Sequence, residues 1–142
     1  MIDDNKYGLR ARRALLAGQG YAVETAQGGE AGLQKYEQGV FDLVVTDFRM
    51  PGGPSGPEVV SEIRRRDPQV PIIMLSGFAA KLGLTPHDTG ADVVLTKGPT
   101  EDADLLRAIA RLTKVQPARA RQAAPARSAP RVRRAAAGGF AG

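Results

Sequence analysis

Phe41-Asp42-Leu43-Val44-Val45-Thr46-Asp47-Phe48-Arg49-Met50-Pro51 is the stretch whose reading decides the fold. Its first six residues are mostly apolar and strand-length. Such a run, without polar alternation, marks a strand covered on both faces. The run ends at Asp47, and a loop rich in turn formers follows, Pro51-Gly-Gly-Pro-Ser-Gly-Pro57. Next comes a helix over residues 58–66 with Val59, Val60 and Ile63 as its apolar stripe. A second buried strand spans residues 70–76 and ends at Ser76, and a last one spans 93–96, just before Lys97.

The same alternation runs upstream and downstream. Tyr7, Ala11, Ala14, Leu15 and Gly18 share one helical face, with Arg10, Arg12 and Arg13 on the other. Residues 21–25 alternate as a short strand, and residues 30–38 form a helix with Leu33 and Tyr36 inward. Residues 79–90 are helical by position, but Gly83 and Pro86 make that helix short or broken. Residues 100–112 form a helix capped by Thr100, with Glu101, Asp102 and Asp104 at its positive end and Leu105, Ile109 and Leu112 buried. Strands alternating with helices imply parallel pairing and right-handed crossovers, hence an open α/β sheet covered on both faces.

Composition narrows the function classes. The chain has 142 residues, 42% hydrophobic and 25% charged, as in soluble globular proteins. Cys is absent, which excludes disulfide scaffolds and thiolate metal sites. No apolar run reaches the length of a membrane span, and no signal-peptide pattern opens the chain; a cytoplasmic protein with no membrane contact is expected. The net charge of +5 comes from one end: residues 114–142 hold seven basic residues and no acid, which leaves residues 1–113 at −2. That Pro/Ala/Arg-rich tail cannot bury a core and is expected to be disordered. It has too few aromatics to stack bases, so nucleic acid could be reached only through phosphate contacts of the tail. Residues 1–113 make one domain and 114–142 the tail.

In open α/β sheets the site lies beyond the carboxyl ends of the strands. Asp47, Ser76 and Lys97 stand at such ends, and Asp3-Asp4 precedes the first helix. Crowded carboxylates repel unless a cation joins them, and Asp3, Asp4 and Asp47 suit a hard, oxygen-seeking ion such as Mg²⁺. Asp47 could then act as a nucleophile that forms an acyl phosphate, with Lys97 and Ser76 contacting phosphoryl oxygens. His87, among Pro86, Asp88 and Gly90, reads as an ordinary loop residue, and Arg49 either reaches over the site or is solvated.

Four pieces in order carry a family resemblance: Ile2-Asp3-Asp4-Asn5, Val-Val-Thr-Asp47-Phe-Arg-Met50-Pro51, Leu75-Ser76-Gly77 and Thr96-Lys97. Over nearly all of residues 1–112 the sequence resembles the receiver domain of two-component response regulators. The resemblance implies a flavodoxin-like, doubly wound five-stranded parallel sheet in the order 2-1-3-4-5. It implies Mg²⁺-dependent transfer from a histidine kinase, or a phosphotransfer protein, to Asp47. It also implies a metal contact from the backbone carbonyl of Arg49, and phosphorylation-dependent contacts with a downstream protein. With no room for a folded effector in the tail, a stand-alone receiver that is not an enzyme is expected. The alternative is a degenerate, receiver-like binding module without phosphate control.

Three departures from the family pattern stand out. Only Met1 and Ile2 precede Asp3, so the central first strand is largely missing. Strands two and three are therefore expected to lack a partner, pointing to an upstream start, a truncated chain or a strand supplied by a partner. At the switch position, where an aromatic ring usually couples to the hydroxyl of the residue corresponding to Ser76, Val94 replaces the usual Tyr or Phe. Lys97-Gly98-Pro99 separates the lysine from the proline that usually follows it, which unsettles the cis peptide typical there. An aspartyl phosphatase of the haloacid dehalogenase type is rejected, because the second Asp it needs is Arg49, and no Gly-rich dinucleotide fingerprint is present.

Overall fold

A computed structural model of the chain describes residues 1–77 and 82–114. In chain order the elements are β1 (Ile2–Asp3), α1 (Lys6–Gly18), β2 (Ala26–Gln27), α2 (Gly29–Gln38), β3 (Val44–Asp47), α3 (Gly56–Arg66), β4 (Ile72–Ser76), α4 (Pro86–Thr89), β5 (Val93–Thr96) and α5 (Glu101–Lys114). The five strands form one parallel sheet in the order β2-β1-β3-β4-β5. The expected α/β class and strand order are both present.

The first strand is shortened but not lost. Ile2 pairs with Ala26 on one side and Thr46 on the other, and Asp3 pairs with Gln27. The Ala26 N–H donates to the Met1 carbonyl and the Gly28 N–H to that of Asp3, at 2.9 and 3.0 Å. Two residues therefore hold the centre of the sheet, which corrects the expectation that β2 and β3 are left without a partner. The shortness has a cost elsewhere. The strand expected over residues 21–25 does not form, and pairing starts only at Ala26. In the observed register β1 reaches back only to the Glu24 carbonyl, which accepts from the Met1 amine at 2.8 Å, and residues 21–24 are paired with no described strand.

The sheet is covered on both faces, and strand residues alternate between them. Ile2, Val44, Ile72 and Met74 pack with Val59, Val60 and Ile63 of α3, with Leu33 and Tyr36 of α2 against them. Val45, Ile73 and Leu75 pack on the other face with Leu16 of α1 and Leu105, Ala108 and Ile109 of α5. Each such buried side chain contributes about 1.5–3 kcal/mol relative to exposure. Val59, Ile63, Ile72, Ile73, Met74 and Leu105 are wholly buried.

Helix ends follow their local chemistry. Asn5 caps α1, its side-chain oxygen accepting from the Tyr7 and Gly8 N–H groups. Ser55 and Glu58 form a reciprocal capping box at α3, which starts two residues earlier than expected because Gly56 and Pro57 join its first turn. The Thr100 hydroxyl, expected to cap α5, instead donates to the Asp104 carboxylate. In the 79–90 region the short α4 is capped by Thr85 and ended by left-handed Gly90, while residues 78–81 lie outside the described residues. The tail beyond residue 114 also lies outside them.

The orientation of α1 differs from the sequence reading. Leu9 and Leu16 are its buried residues, and Tyr7 is 68% exposed, as the outward face requires. Arg12, assigned outward on the strength of its charge, lies on the inner side. Ion pairs with Asp3 and Glu101 take the place of solvent there.

Candidate functional site

Parallel pairing brings the carboxyl ends of β1, β3, β4 and β5 to one edge. Asp3 closes β1, Asp47 closes β3 opposite Leu75, and Ser76 closes β4 opposite Thr96, with Lys97 one residue further on. Carboxylate oxygens of Asp3, Asp4 and Asp47 all lie within 4.8 Å of one another. Asp3 and Asp47 are buried, at 3% and 6% exposure, as is Ser76 at 1%. Residues 44 positions apart in sequence are thus brought to one pocket by the strand register alone.

The surrounding groups both concentrate and compensate this charge. Lys97 Nζ lies 2.6 Å from Asp47 Oδ1 and 3.9 Å from Asp3 Oδ2. The Asn5 N–H donates to Asp3 Oδ1 at 3.0 Å, and Arg12 Nη1 donates to Asp3 Oδ2 at 2.9 Å. Burial pushes the Asp47 carboxyl above its ordinary value; the Lys97 hydrogen bond opposes that shift and the Asp3 charge adds to it. Burial also works against the charge of Arg12, but the Glu101 and Asp3 carboxylates more than offset it and hold Arg12 above its ordinary value.

Close backbone packing fixes the loop that follows Asp47. Gly56 opens α3 directly against it: a Cβ there would fall 2.2 Å from the Asp47 carbonyl oxygen and 2.9 Å from the Phe48 Cα. The Gly56 N–H donates to the Phe48 carbonyl, and the Phe48 N–H to that of Leu75. Thr46, fully buried, donates its hydroxyl to the Asp47 carbonyl at 3.1 Å. Asp47 is therefore gripped from β4, from α3 and from its own strand.

The residues singled out in the sequence fall into two groups. Asp3, Asp4, Asp47 and Lys97 converge in one pocket, and Ser76 ends the strand next to Asp47. Arg49, two residues beyond Asp47, is exposed. Val94 pairs with Met74 and packs, half-buried, against the core rather than in the pocket. No described peptide bond is cis, Lys97–Gly98 included. Arg12, Gly8 and Gly56 were not singled out. The first two had a legible signal, a glycine four residues before an arginine on the helix that starts beside Asp3-Asp4.

The donor set fits a hard divalent cation. It consists of carboxylate oxygens, and three carboxylates against the two cations Lys97 and Arg12 leave negative charge in excess. Mg²⁺ takes such a set, using one or two carboxylates and keeping waters for a phosphate to replace.

Comparison with known proteins agrees with this geometry. The response regulator receiver domain family model matches residues 1–110. Transcriptional regulatory protein DltR of Streptococcus agalactiae is 36% identical over 110 residues, 77% of this chain and 48% of that protein. The chain thus spans about half the length of that curated relative. Response regulator protein TrrA from Thermotoga maritima, solved in complex with Mg²⁺-BeF, superposes with a TM-score of 0.69 at 32% identity, covering 78% of this chain and 94% of that one. The receiver domain of sensor histidine kinase PA1611 from Pseudomonas aeruginosa PAO1, with a magnesium ion coordinated in its active-site cleft, gives a TM-score of 0.68 at 26% identity, covering 80% and 96%.

Fold and site together define a doubly wound signalling domain with an acidic pocket at the sheet edge. The chain belongs to the response regulator receiver domain family of two-component systems. Among its described residues no helix is long and apolar enough to cross a membrane.

Proposed function

We propose that this receiver accepts a phosphoryl group on Asp47 from a histidine kinase or a phosphotransfer protein, and signals by changing its contacts with a downstream protein. The observation that carries this reading is the pocket itself, in which buried Asp47 lies beside Asp3, Asp4 and Lys97 at the end of a central strand. An Asp47 carboxylate oxygen attacks phosphorus, a P–O bond forms and the P–N bond to the donor histidine breaks. The electron pair stays on the imidazole, which takes up a proton from water. Lys97 follows the phosphoryl oxygens, to which it offers a point charge, and Ser76 offers its hydroxyl from the end of β4.

Asp3, Asp4, Asp47 and the Arg49 carbonyl would hold Mg²⁺, which when bound neutralises charge between carboxylates and phosphoryl oxygens. The chain acts as a phosphoprotein rather than as an enzyme with a released product. It works in the cytoplasm through a receiver over residues 1–113, followed by a basic segment over residues 114–142. The phosphoryl group adds charge and acceptor oxygens at the pocket and biases the position of Ser76 at the end of β4.

The test is incubation with acetyl phosphate and Mg²⁺, followed by intact-mass measurement. A mass gain of one phosphoryl group, lost in Asp47→Asn and in EDTA, is expected. No gain in the parent chain would favour a binding module without phosphate control, the reading for which the valine at the switch position, Val94, speaks.

A further inference from the structure

Arg12 has a seat built for it. Its side chain is only 11% exposed, with Nη1 2.9 Å from Asp3 Oδ2 and Nε 2.5 Å from Glu101 Oε2. Glu101 is the first residue of α5, so one guanidinium ties the acidic pocket to the start of the last helix. The room for it comes from Gly8. A Cβ at that position would lie 3.0 Å from Arg12 Nη1 and 3.6 Å from Asp3 Oδ2. Gly8 lies inside α1, where glycine weakens a helix by about 0.8–1 kcal/mol relative to alanine. That local cost is matched by a specific occupant, the Arg12 guanidinium.

A guanidinium on Asp3 is a cation in the place where a metal ligand is expected. It cannot vacate that place by losing its proton. A divalent ion held by Asp3 meets the guanidinium charge on that same carboxylate, whether it takes Oδ1 or replaces Arg12 at Oδ2. Displacement, in turn, weakens the link that Arg12 makes to Glu101.

We infer that Arg12 is a built-in competitor for the divalent cation at Asp3, lowering the affinity of the pocket for Mg²⁺ and coupling its occupancy to the Arg12–Glu101 tie on α5. The inference rests on the reading of Asp3, Asp4 and Asp47 as a metal site. Arg12 acts here as a positioning residue, through Asp3. Glu101 works in the opposite sense: it neutralises part of the guanidinium charge, so its removal leaves Arg12 a stronger rival to the ion.

The experiment is a Mg²⁺ titration of the full chain by calorimetry, cross-checked by the Mg²⁺-dependent rise in melting temperature. The variants are Arg12→Gln, Glu101→Gln and Gly8→Leu. A unit charge about 6 Å from a divalent ion changes its affinity by about tenfold even at the dielectric of bulk water. Arg12→Gln is expected to bind Mg²⁺ about tenfold tighter, and Glu101→Gln several-fold weaker. Gly8→Leu keeps every charge but fills the guanidinium's seat, so it is expected to shift affinity in the same direction as Arg12→Gln. A purely structural tie would lower the melting temperature of Arg12→Gln and leave its Mg²⁺ affinity within about twofold of the parent, which overturns the inference. Should Arg12→Gln not fold, an unchanged affinity in Gly8→Leu overturns it as well. If neither parent nor variants respond to Mg²⁺, the metal-site reading beneath the inference is wrong, and the inference falls with it.

Discussion

Replacing Gly56 with alanine would place a Cβ 2.2 Å from the Asp47 carbonyl oxygen and 2.9 Å from the Phe48 Cα. Real Cβ atoms essentially never approach below 3.0 Å, so α3 and the segment after β3 must part by about 0.8 Å. Both obstructing atoms belong to backbone, and no side-chain rotation relieves the contact. Overpacking of this kind costs about 1–3 kcal/mol. Parting the two segments also strains the bond from the Gly56 N–H to the Phe48 carbonyl, worth about 0.5–1.5 kcal/mol. A loss of roughly 2–4 kcal/mol follows, or about 8–20 °C in melting temperature for a domain of this size. Thermal melts by circular dichroism measure it, with Gly53→Ala as the control. Gly53 lies in the same loop, with nothing within 4 Å of an added Cβ and no positive φ, so it is expected to stay within about 0.5 kcal/mol of the parent. A Gly56→Ala variant as stable as Gly53→Ala would refute the close approach of α3 to Asp47.

Other consequences concern the charges of the pocket. Asp4 has no ion-pair partner among the described residues, so Asp4→Asn relieves repulsion and should raise metal-free stability by about 0.5–1.5 kcal/mol while abolishing Mg²⁺-dependent stabilisation, both read from melts with and without Mg²⁺. The Asp47 carboxyl is raised above 3.8 in the folded chain, so the fold takes up a proton there and ionised Asp47 costs stability at neutral pH. Asp47→Asn should therefore be more stable than the parent at neutral pH, an advantage that shrinks as pH falls through the raised value; an advantage that grows on acidification contradicts the shift. Lys97→Met removes the 2.6 Å partner of Asp47 and should slow modification by acetyl phosphate by about 10²–10³-fold, followed by intact mass. Ser55→Ala breaks the capping box of α3 and should cost about 1 kcal/mol in denaturant unfolding, without altering Mg²⁺ affinity.

Much of the site was legible because it sits where secondary structure ends. The apolar run closing on Asp47, the buried strand closing on Ser76 and the strand before Lys97 are local patterns, and parallel pairing makes their ends neighbours. What escaped depended on long-range contact. Arg12 is charged, and a charge on an amphipathic helix reads as solvent-facing unless its partners are known; Asp3 is nine residues away and Glu101 is 89. The close approach of Gly56 to Asp47 likewise exists only once α3 folds back on β3. The strand misplaced at residues 21–25 has β character of its own, but a strand needs a neighbour, and β1 offers one only from Ala26 onward. The same shortness suggested an unpaired sheet centre, yet Ile2, paired on both edges, and Asp3, paired with β2, suffice to join β2 to β3.

The central claim is that Asp47, and no other carboxylate of the acidic pocket, carries the phosphoryl group. Reducing the acetyl phosphate-treated chain with borohydride converts an acyl phosphate to an alcohol and marks its position for peptide mass mapping. The account predicts a single marked residue, Asp47, in the presence of Mg²⁺ and none in EDTA. A mark on Asp3 or Asp4, or an unmarked Asp47 in a folded, Mg²⁺-loaded chain, would contradict it.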